Sequence, residues 1–445
     1  MTEYTPYFPK PHQQTLNPIQ IVQYANRDLL SIWSESNFQA KLMGIRVLNQ
    51  AFFIANCPDA VEHILVTHQN NYQKKAAFID KILHPLIANS SLLNPDIDQQ
   101  RFQWLENKLF SNQSDNLLSI GIAKFEQSLL NWKQKEFPCQ IQIVAELKKF
   151  YLNYVYQVLF GNSITDSVIE TLITDFQAYQ SAIEAIDIIY LTLPEWVRKS
   201  QWKSVHQIAQ RIHQTIDTLL QQQFAQPEEN SVLGQWYLSD NSFVEQNRLA
   251  IRDELILYGF AAQEILANTL TWALSIIIDN SEIKSKLIHE ANQFNLHSEL
   301  SISQQLIYTQ AFIKEVLRLY PPLPILFHHA ESEDKIRQRM IPSGSYLLIV
   351  PWLLHRHSDY WIQPHICKPE RFLTNTINQS LDYIYLPFGN LFHNQGIQSF
   401  CLNNLSITLG LLIKAFNFNP IPTQQLAHEC RFILRPNSAF KLQID

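Results

Sequence analysis

The stretch "EVLRLYPPLP" (residues 315–324) carries the strongest signal for the fold. Glu315 and Arg318 are three positions apart, so on a helix they share a face and can form an ion pair. A pair of prolines, Pro321 and Pro322, follows. In isolation, the pair predicts an exposed salt bridge worth about 0.2–0.5 kcal/mol. The motifs that follow along the chain indicate that the pair belongs to a larger ion network.

A second stretch, "KPERF" (368–372), follows further along the chain and is preceded by "LLHRHSDYWIQP" (353–364). Arg371 is always charged and presents a planar fork of donors. If Arg371 joins Glu315 and Arg318, the three residues form a buried ion network with bidentate hydrogen bonds. We therefore predict a structural triad that links a helix to the irregular chain after it.

A third stretch, "YLPFGNLFHNQGIQSFCLNN" (385–404), begins as a tight turn and reaches Cys401 after a long detour. The residues after Cys401, "LNNLSITLGLLIKAF", are typical of an amphipathic helix. Cys401 would then lie at a helix N-terminus, where the helix dipole and the free N–H groups favour a thiolate. The alternative is a small, buried, apolar cysteine.

The remaining pattern predicts a chain that is mainly α with a small β portion. Apolar residues recur every three to four positions from about 75 to 320, which indicates a helical body, and residues 251–278 are apolar almost all round, which predicts a central buried helix. Period-two alternation places β-rich portions at about 40–60 and 323–355, with further strands near the C-terminus. With neither repeats nor a linker, residues 1–445 are predicted to form a single domain.

Composition limits the function. The net charge is −6, from 34 Lys and Arg against 40 Asp and Glu, and there is no dense basic tract, so nucleic acid is not expected as a partner. The five cysteines fit neither a disulfide framework nor a CxxC metal site, which favours a reducing compartment. Without a signal-peptide pattern or a run of 18 apolar residues, we expect a cytoplasmic protein with no transmembrane segment.

The order of these motifs resembles the cytochrome P450 family over about residues 15–445. The resemblance implies a P450-like fold, haem b (iron protoporphyrin IX) as cofactor, and Cys401 as the ligand of the iron in a loop at 386–403. Phe388 and Gly389 match the start of the family's loop. The sequence departs from the family where "NLFHNQ" is inserted, where Gln398 takes the place of an Arg, and where Asn403 replaces a Gly.

The same resemblance identifies "YGFAAQEILANTLTWAL" (258–274) as the distal helix, which crosses the face of the haem. It implies catalytic positions at Ala261, Ala262, Glu264 and Ile265. Glu264 can relay protons, but both threonines of the family pattern are missing and Ile265 cannot form hydrogen bonds. A substrate group, or Asn268 with ordered water, would have to replace the hydroxyl.

Further resemblances concern the haem propionates and the substrate pocket. Trp104, Lys108 and His328 match positions that contact propionates, although Trp104 can equally be core and Lys108 a solvated side chain. The pocket is expected to include the loop before Trp104, the turn at 180–195, Ala261 and Ala262. Its other members would be Tyr258, Leu323, Ile325 and Phe440. Simple core packing is the alternative for each of them.

The resemblance implies an oxidase or monooxygenase that acts on a small hydrophobic, aromatic, biosynthetic substrate with O₂ and external electrons. Oxidative coupling of two aromatic molecules is an alternative, because some family members that couple aromatic rings lack the same threonine. A haem-free binding protein or cofactor-independent catalyst is a third possibility. Ferredoxin and ferredoxin reductase are the implied electron donors, although residues 388–404 contain no Lys or Arg for an acidic partner. A monomer is expected.

Overall fold

In the computed structural model of the chain, the predicted central helix runs from Arg248 to Asp279. It is α-helical over Arg248–Ala261 and Asn268–Asp279, with a π-helical segment, Ala262–Ala267, between them. Every residue from 262 to 277 is buried. The π segment coincides with the predicted catalytic positions, and such segments are frequent at functional sites.

The structure describes residues 4–47, 50–73, 77–93, 125–127, 129–186, 195–295, 298, 301–373, 383–389, 395–422, 424 and 426–445. Within these ranges the chain is mainly α with a small β portion, as predicted. Besides the central helix, the α-helices are Pro18–Ala25, Pro58–Glu62, Ala77–Ile87, Ile143–Phe160, Asp166–Glu184, Glu195–Ala225, Val232–Ser239, Asn241–Gln246, Ser281–Gln293, Ile302–Gln305, Ile307–Leu319, Pro351–Leu354 and Gln395–Ala415.

Polar side chains cap the first turns of several helices and so determine where these helices begin. Asn17 and Gln20 form a reciprocal capping box before Pro18. The Asn280 side chain accepts a hydrogen bond from the Ile283 amide at 2.9 Å. Such caps satisfy N–H groups that have no partner inside the helix.

A five-stranded sheet joins the two predicted β-rich portions. Its strands, in spatial order, are Leu42–Val47, Gln50–Ala55, Tyr346–Ile349, Leu326–Ala330 and Tyr72–Gln73. The first two form the predicted antiparallel hairpin, whereas the second and third run parallel. A three-stranded sheet consists of Cys139–Ile141, Leu442–Ile444 and Phe418–Asn419, and two-stranded sheets pair Asp334–Ile336 with Arg339–Ile341 and His428–Cys430 with Leu434–Pro436.

The sequence prediction was wrong in two places. The strand expected through residue 354 ends at Ile349, because Pro351 begins a short helix at the position that tolerates a proline. The loop predicted at 386–403 is also shorter than expected, since a helix begins at Gln395.

The described residues include one helix, Arg248–Asp279, that is long and apolar enough to cross a membrane. Its most apolar window is 89% buried inside the protein. Burial against protein therefore accounts for the apolar composition of this helix.

Candidate active site

Glu315, Arg318 and Arg371 form one buried ion network. Glu315 and Arg318 lie on helix Ile307–Leu319, which we call the triad helix. Arg318 donates from Nε and Nη2 to the two Glu315 oxygens at 2.7 and 2.8 Å, and Arg371 Nε donates to Glu315 Oε1 at 3.1 Å. The Glu315 and Arg318 side chains are fully buried and that of Arg371 is 10% exposed. The structure thus brings together the three residues predicted as the triad.

The network also holds main-chain groups of the segment that follows. Arg318 Nη1 donates to the carbonyls of His355 and Pro364 at 2.7 and 2.8 Å. The Lys368 amide donates to Glu315 Oε1 at 2.8 Å. Charge-assisted hydrogen bonds of this kind are among the stronger ones. They fix the chain between 355 and 371 onto the triad helix.

His355 extends the contact to the turn before Cys401, a role that the sequence analysis missed. The Leu386 amide donates to His355 Nε2 at 2.8 Å, and His355 Nδ1 lies 3.0 Å from the Arg318 carbonyl. Because an amide can only donate, Nε2 must accept and Nδ1 must carry the proton. Burial lowers the pKa of His355 well below its usual value, so the ring is neutral. The only sequence signal was its place in "LLHRH".

This neutral histidine predicts a loss of stability in acid. Unfolded His355 gains a proton near pH 6.5, whereas in the folded state its pKa lies well below that value. The free energy of unfolding should therefore fall as pH drops below about 6.5, by up to about 1.4 kcal/mol per pH unit for this residue. Urea unfolding between neutral pH and pH 5 should show a shallower dependence in His355→Gln. An equal dependence in both proteins would contradict the assignment.

The turn at 386–389 is held tightly. The Tyr385 hydroxyl donates to the Lys314 carbonyl at 2.9 Å, and Phe388 is buried. Gly389 has φ +58°, in the left-handed region that favours glycine. A Cβ atom there would lie 2.4 Å from the Leu326 side chain. The backbone therefore needs glycine at the residue that starts the predicted loop.

The position of Cys401 differs from the prediction. It is the seventh residue of Gln395–Ala415, which we call the cysteine helix, so the free N–H groups of the first turn lie before it. The predicted thiolate site at a helix N-terminus was wrong. With Asn403 in place of glycine and no proline between Gln395 and Ala415, the helix extends back through Cys401. Gln398 is exposed in the first turn.

Cys401 lies in a non-polar environment. It is 7% exposed and belongs to the main hydrophobic core, and burial raises the pKa of its thiol to about 12. Phe400 beside it stacks on Tyr154 of helix Ile143–Phe160, with the ring centroids 6.4 Å apart. In this arrangement the protein itself does little to stabilise a thiolate at Cys401.

The donor chemistry nevertheless fits a haem iron. Cys401 is a free thiol rather than half of a disulfide. A coordinating metal deprotonates a thiol outright, so the raised pKa does not oppose ligation. Among the predicted propionate contacts, His328 is buried on strand Leu326–Ala330, whereas Trp104 and Lys108 lie outside the described residues.

Glu264 is locked in a buried ion pair that the sequence analysis did not predict. Lys148, on helix Ile143–Phe160, donates from Nζ to Glu264 Oε1 at 2.5 Å, and both side chains are nearly fully buried. Asn268 Nδ2 donates to the Glu264 carbonyl and to Oε2 at 2.7 and 3.2 Å. The buried Asn268 Oδ1 receives no hydrogen bond from the described residues. The predicted proton-relay acid is thus fixed by two neighbours.

The network around Glu264 continues towards the C-terminus through Gln180. The Gln180 side-chain nitrogen donates to Glu264 Oε1 at 3.2 Å. The Gln180 side-chain oxygen accepts a hydrogen bond from Arg435 Nη1. Arg435 also donates to Glu184 at 2.5 and 2.7 Å and to Glu429 at 2.8 Å. The charge of Glu264 therefore belongs to a chain of polar groups that crosses the core.

Seven of the predicted catalytic and pocket residues are at least partly buried, whereas the loop before Trp104 lies outside the described residues. Tyr258, Ala262, Ile265, Ile325 and Phe440 belong to the main core, and Ala261 packs against it. Leu323 instead packs against the smaller core beneath the five-stranded sheet. In the predicted turn at 180–195, residues 187–194 lie outside the described ranges.

The fold and the site define a large helical protein with a buried polar cluster on its central helix and a free cysteine on a C-terminal helix. The family model "Cytochrome P450" matches residues 6–444. The chain therefore belongs to the cytochrome P450 family, as the resemblance predicted.

Known cytochrome P450 proteins resemble this chain over part of its length in sequence and over most of its length in structure. The chain is 29% identical to cytochrome P450 3A9 of Rattus norvegicus over 42% of its length, and 32% identical to tabersonine 16-hydroxylase 1 of Catharanthus roseus over 36%. These alignments span 39% and 32% of those relatives. The crystal structure of the cytochrome P450DA heme domain aligns with a TM-score of 0.75 at 14% identity, covering 91% of this chain and 90% of that one. That likeness supports the fold alone.

Proposed function

We propose that the protein is a haem-thiolate oxidoreductase in which Cys401 binds the iron of haem b. The observation that carries the proposal is the intact path from the buried triad through His355 to the Leu386 amide, in a chain of the P450 family. This path positions the turn that precedes the cysteine helix. Bound to a thiolate, haem activates O₂ for the oxidation of unreactive substrates.

The chain's own residues supply position, shielding and protons. The apolar side chains of the central helix exclude water from the site, and Asn268 orients Glu264 through Oε2. A proton that passes through Glu264 Oε1 must exchange with Lys148 Nζ, its hydrogen-bond donor. The Ile265 side chain has no group that can form a hydrogen bond.

We propose a small hydrophobic, aromatic molecule as the substrate. The buried side chains of Tyr258, Ile325 and Phe440 support this class, because ligand pockets are mostly apolar. Hydroxylation by monooxygenation is the first candidate reaction, and one similar protein is an enzyme named a hydroxylase. Oxidative coupling of two aromatic molecules is the second, and Ile265 in place of a hydroxyl-bearing residue favours it.

One observation favours a different class. Cys401 lies within a helix and not at its N-terminus, so a haem-free binding protein or cofactor-independent catalyst is the competing proposal. We propose that electrons come from ferredoxin and its reductase, and that the protein is a cytoplasmic monomer. Five free cysteines support a reducing compartment.

The absorption spectrum of the dithionite-reduced protein under carbon monoxide separates these proposals. We expect a strongly red-shifted, thiolate-type Soret band that disappears in Cys401→Ser. Cys139→Ser, which changes a half-buried cysteine on a strand, is the matched control and should keep the band. A colourless protein, or a band that persists in Cys401→Ser, would overturn haem ligation by Cys401.

A further inference from the structure

Two histidines and an aspartate meet in a cluster that the proposed oxidoreductase chemistry does not use. The potential ligand atoms of His63, His68 and Asp334 all lie within 4.8 Å of one another. Among the described residues, this is the one group of at least three His, Cys, Asp or Glu side chains with such a spacing. His63 and Asp334 are half-buried and His68 is exposed.

A local change in helix geometry brings the two histidines together. Helix Pro58–Glu62 continues as a π-helical turn, His63–Thr67, and the His68 amide donates to the His63 carbonyl at 2.9 Å. In an α-helix the fourth residue along, Thr67, would lie over His63. The wider turn instead stacks the His68 ring on that of His63, with the centroids 3.9 Å apart and the planes 25° apart. π-helical turns are rare and frequent at functional sites.

The carboxylate of Asp334 is ionised and held in place. His63 Nε2 and the Tyr72 hydroxyl each lie 2.7 Å from Asp334 Oδ2, and the Lys335 amide donates to Oδ1 at 2.6 Å. Burial opposes ionisation, but the hydrogen bonds from Tyr72 and His63 outweigh it and lower the pKa of Asp334 to about 2. Hydrogen bonds that orient a carboxylate in this way are common behind metal ligands.

We propose that His63, His68 and Asp334 bind a divalent transition-metal ion, with Zn²⁺ as the first candidate. Imidazole and carboxylate groups are standard Zn²⁺ ligands, and three protein ligands leave a fourth position for water. Copper(II) and nickel(II) accept the same donors.

The present geometry needs only small adjustments to hold an ion. His63 Nε2 and Asp334 Oδ2 are hydrogen-bonded across 2.7 Å; for a metal to bind at Nε2, the proton of the neutral ring must be on Nδ1. Ligands at 2.0–2.1 Å from a tetrahedral ion are about 3.3 Å apart, so the two atoms move apart by about 0.6 Å. The His68 ring must also turn out of its stack on His63 to aim a nitrogen at the ion, which its exposed position allows.

An ion at this place would join three parts of the fold. It would tie the segment 58–68 to the hairpin that begins at Asp334. Through the Tyr72 hydroxyl it would also brace Tyr72–Gln73, the edge strand of the five-stranded sheet. We therefore expect the metal to stabilise the folded chain.

Calorimetric titration of the chelator-treated full-length protein with zinc chloride tests the proposal. We expect one Zn²⁺ per chain, with an affinity at least about ten-fold weaker in His68→Ala and in His63→Ala, and about 10–100-fold weaker in Tyr72→Phe. His289→Ala removes an exposed histidine on helix Ser281–Gln293 and should bind Zn²⁺ like the parent. The melting temperature should rise with Zn²⁺ in the parent and stay constant in His68→Ala.

His68→Ala is the decisive variant, because the exposed ring is not needed for folding. Absence of stoichiometric binding, or binding that His68→Ala and His63→Ala leave unchanged, would overturn the proposal. Neither readout depends on haem, so the result is independent of the proposed oxidoreductase function.

Discussion

Replacing Glu315 with Gln is expected to lower the free energy of unfolding by about 3–5 kcal/mol, the typical cost of breaking a buried ion pair. Arg318 and Arg371 would keep their charges, since a guanidinium does not give up its proton in proteins. Arg318 is fully buried and would lose its only carboxylate partner among the described residues. Urea unfolding of both proteins under the same conditions measures the difference.

Glu282→Gln is the matched control for this variant. Glu282 pairs with Lys286 at 2.9 Å on an exposed helix face, and such pairs contribute about 0.3–0.5 kcal/mol. If Glu315→Gln cost no more than Glu282→Gln, the network would not stabilise the fold. Should Glu315→Gln fail to accumulate, Arg371→Gln tests the same network at its more exposed edge, and there we expect a smaller loss.

The second large effect is expected from Lys148→Met, which leaves the Glu264 carboxylate buried without its cation. We expect a loss of about 3–5 kcal/mol in the free energy of unfolding. Lys149→Met provides the control at the next residue, because Lys149 pairs with the exposed Glu170. That change should cost far less, because solvent screens an exposed ion pair.

A double-mutant cycle isolates the interaction between Lys148 and Glu264. Glu264→Gln removes the charge and keeps the shape of the side chain, so Lys148→Met with Glu264→Gln should recover much of the loss. We expect a coupling free energy of about 1–3 kcal/mol, the upper part of the range for contacting residues. A coupling near zero would show that Lys148 does not neutralise Glu264.

The pairing of Glu315 with Arg318 could be predicted because its information is local, whereas the burial of the pair and the addition of Arg371 were predicted from the surrounding motifs. Glu315 and Arg318 are one helical turn apart, and the proline pair after them marks the end of that helix. Arg371 lies in a recognisable motif of its own. Burying any one of these three charged side chains without a partner is unfavourable, so we expected them to pair.

The cysteine helix and the Glu264 ion pair could not be predicted in the same way. The first residue of the cysteine helix depends on whether the chain before Cys401 prefers a turn or a helix. Asn403, where the family pattern has a glycine, favours the helix and moves its start several residues towards the N-terminus. Lys148 lies 116 positions from Glu264, on a helix that is not its neighbour in the chain. Helical periodicity identifies the buried face of each helix, but it does not tell which helix packs against which.

The five-stranded sheet also determines when the fold can be completed during synthesis. Gln50, at the start of the second strand, donates to the carbonyl of Gly344, 294 residues later. At about 5–20 residues per second, the ribosome takes about 15–60 s to synthesise the residues between them. Throughout this interval the nascent hairpin Leu42–Ala55 presents an unpaired strand edge, which is a site for association with other chains. The early part of this protein therefore needs either shielding by a chaperone or rapid burial by the helices made in between.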